Sequence, residues 1–293
     1  MTVVLSTINM KGGVGKTTLT VNLATCLVRD HKKRVLIIDL DSQISATLSV
    51  ISPQEFGRLR RGRRTISYLI DKVVRPYITR KFSTADMILS GVCALPGFDL
   101  LPGDIELYDE YTVTEALYKK SLEPMEGQKF SATWQGFEQD LITSIIEPIR
   151  GKYDYILMDC APGYNLLTRS AIVASDFYLL PARPEPLSLV GIQLLEQRID
   201  KLKTQYQPEL ALKLLGIVFI QSGSFLNNRY YNQVMQRIKQ DFDPAQLFQT
   251  TIPLDVNVAR AVDSFTPAVL NSPNSAGSKA FCKLTGELLE KLS

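Results

Sequence analysis

The chain has 293 residues, of which 45% are apolar and 22% charged, with a formal net charge of +3. That balance excludes disorder as the dominant state, because apolar content is high and net charge low. The length is ample for a buried core and fits one large α/β domain or two small ones.

The small net charge hides an asymmetry. Residues 1–80 hold 14 basic and five acidic side chains, whereas residues 81–293 hold 19 and 25. Partners of the first segment should therefore be anions: phosphates, nucleic acid or acidic lipid. Four cysteines (Cys26, Cys93, Cys160, Cys282) stand far apart with no C-x-x-C pair, and His31 is the only histidine. A Cys/His zinc site is not expected, and a Ser-His-Asp or Cys-His mechanism would have to use His31. Scattered thiols fit a reducing cytosol. No apolar run approaches the roughly 18 residues of a membrane span. The opening MTVVLSTINM lacks the basic n-region and cleavage site of a secretory signal.

In chain order, Val3–Ile8 is a short run rich in β-branched residues. A glycine loop, Lys11–Thr18, follows, and then Leu19–Val28 with apolar residues at helical spacing. Arg34–Leu40 is a second strand, apolar as a strand covered on both faces should be. Phe98–Leu101 is a third, closed by Pro102 and Gly103, and Phe137–Ile149 an amphipathic helix. Tyr155–Met158 is a fourth strand, Phe177–Pro181 a fifth, Leu214–Ile220 a sixth and Thr250–Ile252 a short seventh. Helical segments between most of these strands indicate an α/β fold: a doubly wound, mostly parallel sheet with helices on both faces. No repeat or linker divides the chain, so residues 1–293 read as a single domain. A helical elaboration covers about 51–95, with Gly57–Arg64 as a charged turn or helix start, and Lys119–Thr133 reads as a surface loop.

The segment K-G-G-V-G-K-T-T at 11–18 carries the chemistry. Gly12, Gly13 and Gly15, with Val14 between them, let successive backbone N–H groups converge on one anion. A helix starting near Lys16 adds its positive end to the same point. Lys16 can reach β- and γ-phosphate oxygens, the Thr17 hydroxyl can ligate Mg²⁺, and Thr18 can donate to the α-phosphate. The ordinary Walker A pattern G-x-x-x-x-G-K-[ST] would place its first glycine at position 10. Here Met10 stands there and Lys11 follows, so the loop is a deviant form of the P-loop NTPase motif.

Hydrolysis of ATP also needs a held Mg²⁺ and an aimed water. Three aspartates sit at the C-terminal ends of predicted parallel strands, where such sheets place ligands. Asp159 is the Walker B candidate for Mg²⁺. Asp39 and Asp41, two residues apart, point to one side of an extended backbone. Asp39 is assigned to the metal shell and Asp41 to the attacking water. The competing reading for each is a capping aspartate at a strand–helix junction.

With these pieces placed, the chain resembles the ParA/Soj branch of the ParA/MinD family of deviant Walker A ATPases. The resemblance rests on INMKGGVGKTTLTVNLA (Ile8–Ala24), RVLIIDLDSQISAT (Arg34–Thr47), YDYILMDCAPG (Tyr153–Gly163), LLPARPEPLSLVGIQLL (Leu179–Leu195) and TTIPLDVNVARAVDSFTPAV (Thr250–Val269). It implies a homodimer formed on ATP binding, in which Lys11 crosses to the partner's phosphates. It also places Pro253 and Asp255 beside the adenine. Ser42 stands where the family usually has proline, and Ala161 precedes Pro162 where it often has a second proline; neither change removes a catalytic oxygen. No helix-turn-helix segment precedes the loop, so operator-specific binding is not expected.

The family divides by the surface it reads. Lys279–Leu292 has apolar residues at helical spacing but mixed charge, so it reads as a docked helix rather than a membrane-surface one, and no membrane partner is expected. Candidates to hold non-specific double-stranded DNA by its phosphates are Arg58, Arg60, Arg61, Arg63, Arg64, Arg229, Arg237, Lys239, Lys279 and Lys283. The competing reading, favoured for any single residue, is a solvated charged face, and the arginine run could instead serve a protein partner or an acidic lipid. The resulting expectation is a cytoplasmic, nucleoid-associated ATPase that partitions a DNA or organelle cargo with a ParB-like or cargo-adaptor partner. The alternatives are a MinD-like membrane-surface ATPase and a regulatory nucleotide-binding module with little turnover.

Overall fold

The apolar runs assemble into one six-stranded sheet in the computed structural model of the protein. The structure describes residues 2–75, 82–107, 130–206, 210–220 and 240–293, together with positions 115, 118, 234 and 236–238. The strands are β1 (Val3–Thr7), β2 (Val35–Leu40), β3 (Phe98–Leu101), β4 (Tyr155–Cys160), β5 (Phe177–Ala182) and β6 (Lys213–Phe219). Their spatial order is β3-β2-β4-β1-β5-β6, and every ladder is parallel. The doubly wound α/β reading holds.

Alternation along the strands builds two cores. Leu36, Ile38 and Leu40 of β2 pack on one face with Ile156 and Met158 of β4. Val35 and Ile37 pack on the other with Leu157. Burial on both faces explains why these strands read as unbroken apolar runs. Helix α1 (Lys16–Arg29) covers the second face and packs against the last helix of the chain. The chain turns from one side of β1 to the other, so the loop after β1 opens at the switch point between β4 and β5, where such sheets bind ligands.

The seventh strand shrinks to a single parallel bridge, Ile220 to Ile252. Pro253 follows at once, and without an N–H it cannot extend the ladder. The helix expected at Phe137–Ile149 runs instead over Phe130–Ile146 and tightens into a 3₁₀ turn, Glu147–Lys152, where Pro148 sits. Of the expected loop Lys119–Thr133, the last four residues begin that helix, and 119–129 lie outside the described residues.

The elaboration after β2 is helical. Among the described residues it comprises α2 (Ser45–Leu48), α3 (Pro53–Arg61), α4 (Ile66–Val74) and α5 (Thr84–Met87). Gly57–Arg64 is the second half of α3 and its closing turn, not a helix start. Ser52 caps the helix with its hydroxyl, accepting from Glu55 N at 3.3 Å, with Pro53 in the first turn. Arg64 N closes it on Leu59 O at 2.8 Å, and Arg63 takes φ 54°. The arginines thus gather at the negative end of the helix, where cations are favoured.

Later helices, numbered onward, are α6 (Phe130–Ile146), α7 (Leu166–Val173), α8 (Pro186–Gln205), α9 (Val256–Ala261), α10 (Ala268–Asn271) and α11 (Ala276–Leu292). Phe281, Leu284 and Leu288 of α11 are fully buried in the core that α1 covers. Its apolar stripe is therefore committed to the sheet, as the mixed charge predicted. Among the described residues no helix is long and apolar enough to cross a membrane.

Packing in β6 is tight. A Cβ on Gly216 would lie 2.7 Å from the Phe248 ring and 3.2 Å from Gln246 O. Gly216→Ala should destabilise the fold by about 1–3 kcal/mol. Urea unfolding reads it as a lower midpoint at unchanged slope, and an unchanged midpoint would show that the ring moves aside freely.

Candidate active site

The loop between β1 and α1 is shaped by backbone conformations that only glycine takes easily. Gly13 has φ 70° and Gly15 φ 89°, both left-handed. A Cβ on Gly15 would also meet Ile220 Cδ1 at 2.6 Å. Asn9 fixes the entry: its Oδ1 accepts from Lys11 N at 2.9 Å and its amide donates to Pro181 O at 2.8 Å. Gly15 precedes the first turn of α1, whose leading N–H groups have no partner within the helix and face the loop.

Lys16 points back into this turn. Its side chain is buried, 6% exposed, and Nζ donates to Lys11 O at 3.0 Å and Asn9 O at 3.3 Å. Burial lowers its pKa, and the nearby Asp159 and Asp41 carboxylates oppose that shift. An ammonium withdrawn from water, beside converging backbone donors, is a site for a multiply charged anion.

Opposite the lysine stand the acids. Asp159 stands one residue before the end of the fully buried strand β4 and pairs in register with Thr7 of β1 and Asp39 of β2. Thr17 Oγ1 donates to Asp159 Oδ2 at 2.6 Å, so hydroxyl and carboxylate meet at the helix start. A hydroxyl and a carboxylate are hard oxygen donors of the kind Mg²⁺ takes, so the residues fit that ion. Both Asp39 and Asp159 are fully buried, and desolvation raises both pKa values; Asp39 adds to the rise at Asp159.

Asp39 has further duties. Oδ2 accepts from Thr47 N at 2.8 Å and Thr47 Oγ1 at 2.7 Å, and Oδ1 accepts from Asp41 N at 3.1 Å. Thr47 Oγ1 in turn accepts from Gly103 N at 2.9 Å. These bonds tie the segment after β2 to the end of β3. Asp41 follows β2, 8% exposed, with Oδ1 accepting from Gln43 N at 3.0 Å. The three aspartates and Lys16 therefore converge at one end of the sheet, as their strand-end positions implied.

A model of the AAA domain family designated AAA_31 matches residues 2–212. The chromosome partitioning protein ParA of Caulobacter vibrioides is 29% identical over 98% of this chain and 94% of its own length. The chain belongs to the ParA/MinD family of ATPases. Among solved structures, apo McdA of Cyanothece superposes with a TM-score of 0.72 at 17% identity, covering 99% of this chain and all of that one. The septum site-determining protein MinD of Pyrococcus horikoshii, complexed with Mg-ADP, gives a TM-score of 0.66 at 23% identity, covering 100% of this chain and 97% of that one.

Other residues singled out in the sequence are placed as follows. Lys11 is exposed at the mouth of the loop, and its Nζ pairs with Glu185 Oε2 at 2.8 Å. Glu185 is the N-cap residue of α8. Gly12 lies against Pro162, and Val14 is buried beneath the loop. Thr18 sits in the first turn of α1, half-buried.

Pro253 and Asp255 come near the loop through Ile220, which bridges to Ile252 and packs on Gly15. Asp255 is engaged elsewhere: it caps α9 through Asn257 N at 2.8 Å and accepts from Gly277 N at 2.8 Å. Sequence reasoning missed Asn9, Thr47 and Glu185 as shaping residues. Each lay inside a recognisable block, but no spacing rule ties them to the carboxylates or to Lys11.

Of the proposed phosphate-binding cations, Arg58, Arg61, Arg63, Arg64, Arg237, Lys279 and Lys283 are exposed. Arg60 is spoken for by Glu106 at 2.6 Å and Asp104 at 3.4 Å. Arg229 and Lys239 lie outside the described residues.

Because desolvation raises the two buried acids, the folded chain keeps protons at pH values where the unfolded chain, near the ordinary value of 3.8, has lost them. Stability then falls as pH rises above about 4. In the nucleotide- and magnesium-free protein, Asp159→Asn should melt increasingly above wild type as pH goes from about 4 to about 8. A difference in melting temperature that stays constant across that range would contradict the raised carboxyl.

Proposed function

We propose that this protein is a ParA-type ATPase that pairs through bound ATP. The homodimer holds non-specific double-stranded DNA and partitions or positions a DNA or protein-organelle cargo. The observation that carries the reading is the pairing of two lysines in one loop: Lys16 buried beneath it and Lys11 exposed at its mouth.

The roles follow from placement. The backbone donors of Gly12 to Thr18 cradle the phosphates, and Lys16 neutralises the β- and γ-oxygens. Thr17 and Asp159 would hold Mg²⁺, with Asp39 behind them. When bound, the ion supplies charge neutralisation at the transferring phosphoryl group. MinD of Pyrococcus horikoshii, complexed with Mg-ADP, supports a magnesium–nucleotide ligand. Asp41, near the rim and held by Gln43, orients the attacking water. Pro253 lines the base, with Asp255 shaping that wall through its cap.

Lys11 acts across the dimer. Its pair with Glu185 is exposed on both sides, 45% and 37%, and such pairs contribute only about 0–1 kcal/mol. A partner's triphosphate offers more charge, so the pair yields when a second copy docks. Leu187, Val190 and Leu194 expose an apolar stripe along α8, directly beyond Glu185. That stripe suits a face covered by the second copy. ATP then sets the dimer, and the dimer doubles the cationic surface offered to DNA. DNA residence would place the protein on the nucleoid in the cytoplasm. A ParB-like or cargo-adaptor protein stimulates hydrolysis and ends that residence.

Three variants test the reading. Lys11→Ala should bind ATP but stay monomeric in light scattering; an ATP-dependent dimer in that variant would remove the trans role. Asp41→Ala should dimerise with ATP yet lose turnover roughly a hundredfold; unchanged turnover rejects the water assignment. Replacing Arg58, Arg61, Arg63 and Arg64 with alanine should flatten the salt dependence of DNA binding by about one unit of log–log slope per phosphate contact removed. An unchanged slope moves the DNA footprint elsewhere.

A further inference from the structure

The fold brings together two cysteines that the sequence holds 256 residues apart. Cys26 on α1 and Cys282 on α11 have their sulfurs 3.5 Å from each other. Cys26 is fully buried and Cys282 half-buried, so one sulfur is reached from solvent and the other stands behind it. They sit in the seam where α1 packs on α11, among Phe281 and Leu284. Neither belongs to the nucleotide site.

Asp30 completes a group whose donor atoms all lie within 4.8 Å of one another, an arrangement with metal-like ligands. Arg29 fills the cation's place. Its guanidinium makes two bonds to Asp30, at 2.6 and 2.7 Å, and Nη2 donates to Cys282 Sγ at 3.1 Å. A divalent ion would have to displace that bound cation, whereas a bond between the sulfurs leaves it in place.

We propose that Cys26 and Cys282 are a reversible disulfide site, closed by a peroxide and opened by a dithiol reductant. The sulfurs need to approach by about 1.5 Å to reach bonding distance, within the range of side-chain rotation. The steps balance. The Cys282 sulfur attacks the peroxide: an S–O bond forms, the O–O bond breaks, and the departing hydroxide leaves as water with the thiol proton. The Cys26 sulfur then attacks Cys282: the S–S bond forms, the S–O bond breaks, and the second hydroxide leaves as water with the Cys26 proton. Two thiols are oxidised and one peroxide is reduced to two waters. Desolvation, with Cys282 beside it, raises the Cys26 pKa, which together with its burial leaves the first attack to Cys282. The closed bond would staple the helix that begins at the phosphate loop to the last helix of the chain.

The test uses the full chain, reduced and then titrated with hydrogen peroxide, quenched with an alkylating agent in denaturant and mapped by mass spectrometry. Two of the four thiols should disappear together, within one chain, with the Cys26 and Cys282 peptides linked. Dithiothreitol should restore both. The oxidised protein should also melt at a higher temperature than the reduced one, since the loop closed is nearly the whole chain. Cys282→Ser, at a half-buried position, should abolish the linkage and leave Cys26 alkylatable after denaturation. The proposal is overturned if all four thiols survive peroxide. Linkage to Cys93, to Cys160 or between chains overturns it too. So does protection of both thiols by stoichiometric Zn²⁺ without oxidant, which would make the group a metal site.

Discussion

Lys16 is an ammonium held out of water, and the architecture around the loop makes that position tolerable. Two carbonyls of its own loop accept from it, and carboxylates lie across the switch point. Removing a charge from water is costly unless it is paired. The left-handed glycines at 13 and 15 turn the chain so that backbone donors face the same space. A polyphosphate satisfies the ammonium and the donors at once, which is why the fold builds its site here.

The acids are arranged by the sheet rather than by sequence proximity. Parallel pairing puts Asp39 and Asp159 side by side, and β1 delivers Thr7 to the same row. Two buried carboxylates at that spacing repel each other, which a cation between substrate and protein relieves. Asp39 also accepts from Thr47 and from Asp41 N, so one acid of this row fixes the segment that bears Asp41. In the roles proposed for them, metal shell and water position would thereby be mechanically joined.

Much of this was legible in the sequence, for identifiable reasons. Unbroken apolar runs located six strands because doubly covered strands need no alternation. The glycine spacing located the loop because few residues accept φ near 70–90°. What escaped were effects of long-range register. The short pairing at Ile252 ends on Pro253, and a local β pattern could not show that only one bridge would form. The arginine run read as a charged turn or a helix start, whereas it forms the second half of a helix that Ser52 and Pro53 begin, together with the turn that closes it. The Cys26–Cys282 contact was invisible because spacing along the chain says nothing about two helices packed on one sheet face.

The most direct measurement is calorimetric titration of ATP with Mg²⁺ into wild type and Lys16→Ala. The account predicts measurable binding to wild type and none to the variant, with the variant still folded by circular dichroism. Retained micromolar affinity in a folded Lys16→Ala protein would contradict it, because the phosphates would then be held somewhere other than the glycine loop.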